Sequence, residues 1–283
     1  MLIDLADSYF SVANGGIDLE EMNENDPLVV LIHGAGMDRT VWFQQTRFLS
    51  HHGYRCFAVD LPAHGGTEGP PLETINEMAD WISSIIERLG GPAHIVGHSM
   101  GSFIALATAA NYPDSVLSAT LIAIAEGMPV HPDLQTAADD NLPKGASFIA
   151  GWGHGPNQHL GGNPTPGLWM IGGATAVVEN SKPGILSLDL SICSSYEETL
   201  EQAQSVKCPT TLILGSRDKM TPRRAAQPLI DALTNPKVVE LDGVGHMSMT
   251  EAPKEVRQVL VSGFDVNNRS EMSVPASLPL EGV

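Results

Sequence analysis

Cysteine is scarce in this sequence, with three residues among 283. The three stand far apart and form no CxxC pair, so neither a disulfide framework nor a zinc knuckle is indicated. We interpret them as reduced residues of the core, at positions Cys56, Cys193 and Cys208.

Basic residues are also few, because 15 lysines and arginines stand against 33 aspartates and glutamates, for a formal net charge of −18. The average field of such a chain repels phosphate backbones and anionic lipid surfaces. Nucleic acid and acidic membranes are therefore excluded as expected partners. The acidic surface is interpreted as a source of solubility.

Long hydrophobic runs are missing as well. No stretch approaches the roughly 18 uninterrupted apolar residues that are needed to cross a bilayer. Residues 1–10 carry Asp4 and Asp7, without a basic start or an apolar run, so they do not resemble a signal peptide. The expectation is a cytoplasmic protein without a membrane span.

Metal-binding motifs are absent around the ten histidines, since neither HExxH nor a repeated His/carboxylate spacing occurs. His51 beside His52, and His154 near His159, are the pairs to test, but adjacent surface histidines usually bind nothing. The sequence therefore predicts no metal and no cofactor.

Apolar residues make up 42% of the chain and charged residues 17%, which is enough apolar material for a sizeable core. Short apolar runs bounded by turn residues recur, and continuous runs are typical of strands that are covered on both faces. They predict a mostly parallel sheet. The runs lie at residues 28–32, 55–59, 94–97, 118–124, 210–214 and 237–241.

Helical patterns alternate with these runs. Strand, helix and strand in regular alternation indicate a doubly wound sheet with right-handed crossovers. The helical patterns lie at residues 40–51, 75–89, 100–111, 223–233 and 253–264.

The alternation stops between residues 125 and 206, a stretch too long for a simple connection. We predict that residues 1–124 and 207–264 form one discontinuous catalytic core and that residues 125–206 form an inserted cap. Within the cap, residues 197–204 look helical, whereas 151–155 and 161–167 look like shaped loops. Residues 265–283 are expected to be a flexible tail.

The strongest local signal is Gly97-His98-Ser99-Met100-Gly101, a G-x-S-x-G motif where an apolar run ends and a helical pattern begins. The two glycines fit a sharp turn that leaves no room for side chains beside the serine. Ser99 is therefore the candidate nucleophile. The backbone N–H of Met100, the residue after it, is a candidate oxyanion donor.

A serine nucleophile needs a base and an acid, which in this type of sheet follow in the order Ser, acid, His. Asp218 lies in the loop just after a buried strand. His246 follows the next predicted strand and is preceded by the flexible glycines Gly243 and Gly245. Both should lie at the edge of the sheet where such folds place their ligands. Asp242, four residues before His246, is a rival for the acid. Asp218 is favoured because it follows the strand that comes before the histidine strand, where the acid is expected.

The chain resembles the α/β-hydrolase family over residues 29–264. Besides Ser99 and its motif, the similar segments are His33-Gly34-Ala35-Gly36, Asp60-Leu61-Pro62-Ala63-His64-Gly65, the Asp218 loop that ends in Thr221-Pro222, and Gly245-His246 followed by Glu251-Ala252-Pro253.

This resemblance implies an α/β-hydrolase fold with a mostly parallel sheet, flanking helices and a cap inserted after the sixth strand. It implies Ser99 as nucleophile, Asp218 as acid and His246 as base, with the N–H of Ala35 as the second oxyanion donor. A departure is Ala63, where relatives usually carry glycine.

The substrate pocket is less well marked. Large cap residues are expected to line an apolar pocket or to pack within the cap itself. The candidates are Gly34, Met128, Trp152, Trp169 and Met170.

The leading hypothesis is a carboxylic ester hydrolase that forms an acyl-enzyme on a small to medium, largely apolar substrate. The nearest alternative is a hydrolase of a carbon–carbon bond in a ring-cleavage product, which the sequence weakly disfavours because His33-Gly34-Ala35-Gly36 lacks a G-P-type continuation. A perhydrolase or acyltransferase would use the same residues. A non-catalytic ligand receptor on this scaffold is the alternative from another class.

Overall fold

One eight-stranded sheet forms the centre of the protein, with strand order β1-β2-β4-β3-β5-β6-β7-β8. The computed structural model of the chain describes residues 1–5, 8–165 and 167–265. The strands are β1 (Leu2–Leu5), β2 (Ser8–Ala13), β3 (Leu28–Ile32), β4 (Arg55–Val59), β5 (Ala93–His98), β6 (Val116–Ile122), β7 (Thr210–Gly215) and β8 (Lys237–Leu241).

The six strands from β3 to β8 are all parallel. Every residue of β3, β5 and β7 is buried, as expected for strands that helices cover on both faces. Parallel strands end at the same edge of a sheet, so the segments that follow β5, β7 and β8 come together there. The predicted fold class is confirmed.

The first two strands form an antiparallel hairpin that pairs with β4, and the apolar runs did not predict it. Its burial alternates over only a few residues: Ile3 and Phe10 are buried beside exposed Leu2 and Tyr9, whereas Ser11 and Val12 are both buried. An antiparallel edge with one face open to solvent produces this alternation, which is short and easily overlooked in sequence.

The helices pack in two groups around the sheet. The first helix contacts the last, and the second contacts the third, which also packs on β5 and β6. The core helices are α1 (Phe43–Ser50), α2 (Ile75–Arg88), α3 (Met100–Asn111), α10 (Gln227–Ala232), α11 (Ser248–Glu251) and α12 (Pro253–Phe264), and the helices between α3 and α10 are α4 (Pro132–Asp140), α5 (Leu142–Gly153), α6 (Pro156–His159), α7 (Met170–Glu179), α8 (Ile185–Ser195) and α9 (Thr199–Ser205).

The insert after β6 is helical throughout much of its length, which corrects one sequence expectation. Residues 151–153, expected in a loop, form the last turn of α5. Glycine disfavours helix, but Phe148 and Trp152 stack one turn apart with ring centroids separated by 4.7 Å. This local packing outweighs the propensity of the two glycines.

Within the described residues, no helix combines the length and apolar character that crossing a membrane requires. The predicted tail, apart from Asp265, lies outside the described residues.

Candidate active site

Ser99 occupies a strained turn between β5 and α3, which we call the elbow. Its backbone has φ 54° and ψ −120°, a conformation that side-chain-bearing residues rarely adopt. The Ser99 N–H donates to the carbonyl of Ile122 on the neighbouring strand at 2.9 Å, which ties the turn to the sheet. Strain of this kind costs about 1–3 kcal/mol and persists only where the surroundings enforce it.

The two glycines of the motif are required by close backbone contacts. A Cβ on Gly97 would lie 2.0 Å from the carbonyl oxygen of Gly101, and one on Gly101 would lie 2.4 Å from that of Ile32. Any side chain at either position would push strand and helix apart. The motif therefore has the geometric meaning that the sequence predicts for it.

Asp218 lies in the loop after β7, and backbone and side-chain donors hold both of its oxygens. Oδ1 accepts from the N–H groups of Met220 at 2.8 Å and Thr221 at 2.9 Å. Oδ2 accepts from the Thr221 hydroxyl at 2.7 Å and lies 2.8 Å from Nδ1 of His246. The carboxylate is thus fixed in orientation and directed at the imidazole.

The pKa of Asp218 is held well below its usual range. Burial by itself raises the pKa, but the charge of His246 and the hydrogen bonds from His246 and Thr221 outweigh it. The ionised carboxylate accepts the Nδ1 proton of the imidazole, so Nε2 is left as the ring atom that can accept another proton.

His246 follows β8, and the insert and a buried glutamate both hold its loop. Its N–H donates to the carbonyl of Gly153, at the end of α5, at 2.7 Å. Glu251 accepts from the N–H groups of Gly245 at 3.1 Å and Met247 at 3.2 Å, and from Gly155 of the insert at 2.9 Å. One carboxylate therefore joins the loop that carries His246 to the insert.

His98, next to the serine, supports the histidine loop from the other side. Its Nε2 lies 3.0 Å from the carbonyl oxygen of His246, to which a neutral ring donates. Burial and the neighbouring His246 lower the pKa of His98 to about 3, so the ring is neutral at pH 7. The ring therefore holds the backbone of the loop that carries His246.

The three predicted triad residues are only partly joined. His246 and Asp218 form a hydrogen-bonded pair, and Ser99 and His246 line the same cavity of about 610 Å³. Among the described residues, the Ser99 hydroxyl makes no hydrogen bond, whereas the pair beside it is complete. Catalytic hydrogen bonds are often long without substrate and tighten when it binds.

The predicted oxyanion donors border Ser99. Met100 begins α3 directly after the serine, and Ala35 lines the same cavity as Ser99. A Cβ on Gly34 would lie 3.3 Å from Cβ of Ser99, which shows how closely this loop approaches the elbow. The hydrogen bond from Met37 N–H to the Gly34 carbonyl at 3.2 Å closes the loop into a turn.

The predicted pocket residues divide between two cavities. Met128 and Trp152 line the Ser99 cavity. Trp169 and Met170 instead line a neighbouring groove of about 170 Å³, and the Trp169 side chain is 76% exposed. Gly34 is not among the lining residues of either.

Asp242, the rival acid, is exposed, and its carboxylate accepts from the Ser216 hydroxyl at 3.2 Å. In the part of the chain that the structure describes, no group of three or more His, Cys, Asp or Glu side chains is arranged to hold a metal.

Sequence reasoning missed Glu251 as a support and missed Asp189 on α8 altogether. Asp189 is fully buried and lies against His64 and Gly36. Glu251 was visible only as part of the Glu251-Ala252-Pro253 segment, and no motif surrounds Asp189. Only the three-dimensional arrangement brings these carboxylates to the site.

The fold and the buried His–Asp pair beside an elbow serine together define an α/β hydrolase. A model of the alpha/beta hydrolase family matches residues 29–259, and the chain belongs to this family.

The chain is similar to several proteins whose names describe hydrolases. The chain is 28% identical to the pimeloyl-[acyl-carrier protein] methyl ester esterase of Aromatoleum aromaticum, over 82% of this chain and 95% of that protein. Among solved structures, it resembles the enol-lactonase of Burkholderia xenovorans LB400, with a TM-score of 0.79, 20% identity and coverage of 93% and 99%. It also resembles a thermophilic esterase, with a TM-score of 0.75, 23% identity and coverage of 93% and 95%.

Proposed function

We propose that this protein hydrolyses carboxylic esters through an acyl-enzyme on Ser99. The observation that carries the proposal is the buried hydrogen bond of 2.8 Å between His246 and Asp218, on a cavity that Ser99 also lines. An imidazole oriented by a carboxylate is the base that a serine hydroxyl needs, because an isolated serine is a weak nucleophile.

In the proposed reaction, His246 takes the Ser99 proton as the hydroxyl oxygen attacks the ester carbon. The oxyanion is held by the N–H groups of Ala35 and Met100. The protonated imidazole then gives its proton to the leaving alkoxide, and Asp218 stabilises the imidazolium throughout. Water attacks the acyl-enzyme by the same route, which releases the acid and restores the hydroxyl.

The cavity favours a largely apolar substrate. Most of the side chains around Ser99 are apolar, and binding pockets of this type orient a ligand with only a few polar groups. Lys219 and His131 are the exposed basic side chains among the lining residues. The apolar lining consists chiefly of Met128, Leu134, Ile149, Trp152, Leu190 and Met220.

The test is hydrolysis of p-nitrophenyl acetate and butyrate by the parent protein and by Ser99→Ala. The substitution removes the nucleophile, so kcat should fall by at least about 10⁴-fold. Ser194→Ala is the matched control, because Ser194 is an exposed serine of the cap and should retain the parent rate. A panel of esters graded by acyl length then defines the preferred substrate.

Three results would contradict the proposal. Equal rates for the parent and Ser99→Ala would remove Ser99 from the mechanism. Turnover of a ring-cleavage product but of no ester would replace ester hydrolysis by carbon–carbon bond hydrolysis. Tight ligand binding without turnover of either would make the protein a receptor.

A further inference from the structure

A second buried histidine–aspartate pair joins the insert to the core. Nε2 of His64, in the loop after β4, lies 2.9 Å from Oδ2 of Asp189 on α8. The side chains of His64 and Asp189 are 2% and 0% exposed. The pair is separate from His246 and Asp218, and neither member lines the Ser99 cavity.

The surroundings of His64 favour the protonated ring. Nδ1 lies 2.9 Å from the carbonyl oxygen of Pro62 and Nε2 lies 2.9 Å from the Asp189 carboxylate, so both ring nitrogens face acceptors. Burial lowers the pKa of His64, but the hydrogen bond and charge of Asp189 outweigh it and raise the pKa above the ordinary value. Both effects favour a buried ion pair between the insert and the core.

The same carboxylate oxygen also holds the loop of residues 34–37, which carries the proposed oxyanion donor Ala35. Oδ2 of Asp189 accepts from the N–H of Gly36 at 2.8 Å, and Gly36 is the residue directly after Ala35. On the other side of Ala35, the Gly34 carbonyl lies 2.9 Å from Nδ1 of His33 and accepts from Met37. The two peptide units that flank the Cα of Ala35 are therefore anchored, one by the core and one by the insert.

Stability alone does not account for this pair. Burying two charges is expensive, and well-packed apolar residues of similar volume are often as stable or more so. Asp189 is also incompletely satisfied, because its Oδ1 is buried without a hydrogen-bond partner within the described residues. A buried position on α8 is thus occupied by a carboxylate, and one of its oxygens contacts both His64 and the Gly36 N–H.

We propose that Asp189, held by His64, is a positioning residue that sets the Ala35 N–H for the oxyanion and makes this geometry depend on the docked cap. The inference rests on the proposed ester hydrolysis. Without Asp189, the peptide that carries the Ala35 N–H keeps its contacts to His33 and Met37, but the next peptide is released. Ala35 is then held on one side only, so its N–H loses part of the fixed direction on which oxyanion stabilisation depends.

The test compares Asp189→Ala with Asp189→Asn, since the amide oxygen of asparagine can still accept from Gly36 whereas alanine cannot. Asp189→Ala should lower kcat for p-nitrophenyl butyrate by about 10- to 100-fold, with KM changed by less than about threefold. Asp189→Asn should recover a large part of this loss. Asp140→Ala is the matched control, because Asp140 is an exposed aspartate of the same insert.

A transition-state analogue separates positioning from general damage to the fold. A trifluoromethyl ketone adds to the serine oxygen and presents an oxyanion, so its affinity should weaken by the same factor as kcat/KM. Ile192→Ala, which weakens the packing of α8 without touching Gly36, should lower stability but leave this affinity near that of the parent. If Asp189→Ala does not fold, Asp189→Val, which also lacks an acceptor but fills more of the space, should produce the same kcat loss.

A second measurement needs no substrate. Amide exchange in the peptide that spans residues 34–37 should be faster in Asp189→Ala than in the parent. Unchanged exchange, parent kcat in Asp189→Ala, or equal losses in the Ala and Asn variants would each overturn the inference. If the parent hydrolyses esters and Ser99→Ala does not, those results remove only the role of Asp189 and leave the proposed function intact.

Discussion

The two buried histidine–aspartate pairs of this protein have nearly the same nitrogen–oxygen distance, but His246 uses Nδ1 and His64 uses Nε2, and their surroundings differ. His246 and Asp218 are 2.8 Å apart, and His64 and Asp189 are 2.9 Å apart. His246 lines the cavity of about 610 Å³, whereas both nitrogens of His64 face acceptors in the protein. An imidazole with one nitrogen free of protein acceptors can exchange a proton with a substrate. An imidazole whose two nitrogens both donate to protein acceptors is held in its charged form.

The comparison shows that a His–Asp contact does not by itself indicate catalysis. What differs is access to the cavity and the number of acceptors around the ring. Substitution of Asp218 should therefore lower activity most, and substitution of His64 should lower stability most.

The largest expected effect is on activity, from Asp218→Asn. Asparagine cannot set the tautomer of His246, so kcat should fall by about 10⁴-fold while the protein remains folded. Ester hydrolysis and urea unfolding, measured on one preparation, test both parts. Asp242→Asn is the matched control and should stay within a few-fold of the parent. If Asp242→Asn were the more damaging substitution, the acid would have to be reassigned.

The next effect is on stability, from His64→Leu. It leaves the Asp189 carboxylate buried without its counter-charge, which should lower the free energy of unfolding by roughly 3–5 kcal/mol. Urea unfolding measures this loss. His51→Leu is the control, because His51 is an exposed histidine just after α1. A loss below about 1 kcal/mol, the value expected of a surface pair, would show that the contact is not a buried ion pair in solution.

The smallest effect concerns the histidines that stay neutral. Burial lowers the pKa of His33 to about 4, helped by the charge of His64, and burial lowers the pKa of His94 to about 4. Below pH 6.5 the unfolded chain binds protons that the native protein does not, so stability should fall on acidification by up to about 1.4 kcal/mol per pH unit for each such residue.

Urea unfolding between pH 7 and pH 4.5 tests this dependence, with His94→Gln as the informative variant. His94 lies beside Ser118, away from the cavity, and its replacement removes one titrating group. The acid slope should become shallower while activity at pH 7 is retained. A slope identical to that of the parent would contradict the neutral state of His94.

Sequence reasoning succeeded where the signal is local. Continuous apolar runs marked the parallel strands, because a strand buried on both faces needs apolar residues throughout. The elbow glycines were recognisable because only glycine fits at these positions. A Cβ at either one would lie within 2.4 Å of a backbone atom. The catalytic roles of Ser99, Asp218 and His246 remain a proposal.

The failures have different physical causes. The N-terminal hairpin has only a short alternating pattern, and Gly151 and Gly153 are helical because packing around Trp152 outweighs their propensity. Trp169 was placed with the pocket residues, yet it lines a separate groove and is mostly exposed. The direction of a side chain on a helix of the insert depends on its neighbours, which composition does not specify.

The sequence by itself determined the parallel strands of the sheet, the elbow and the order of serine, aspartate and histidine, because these depend on local pattern and on the common edge of parallel strands. Only the tertiary structure decided which carboxylates support the site. Asp189 is 153 residues from Gly36 in the chain, and Glu251 is 96 from Gly155. Contacts between such distant residues arise when the insert folds back onto the core, and nothing in the adjacent sequence records them.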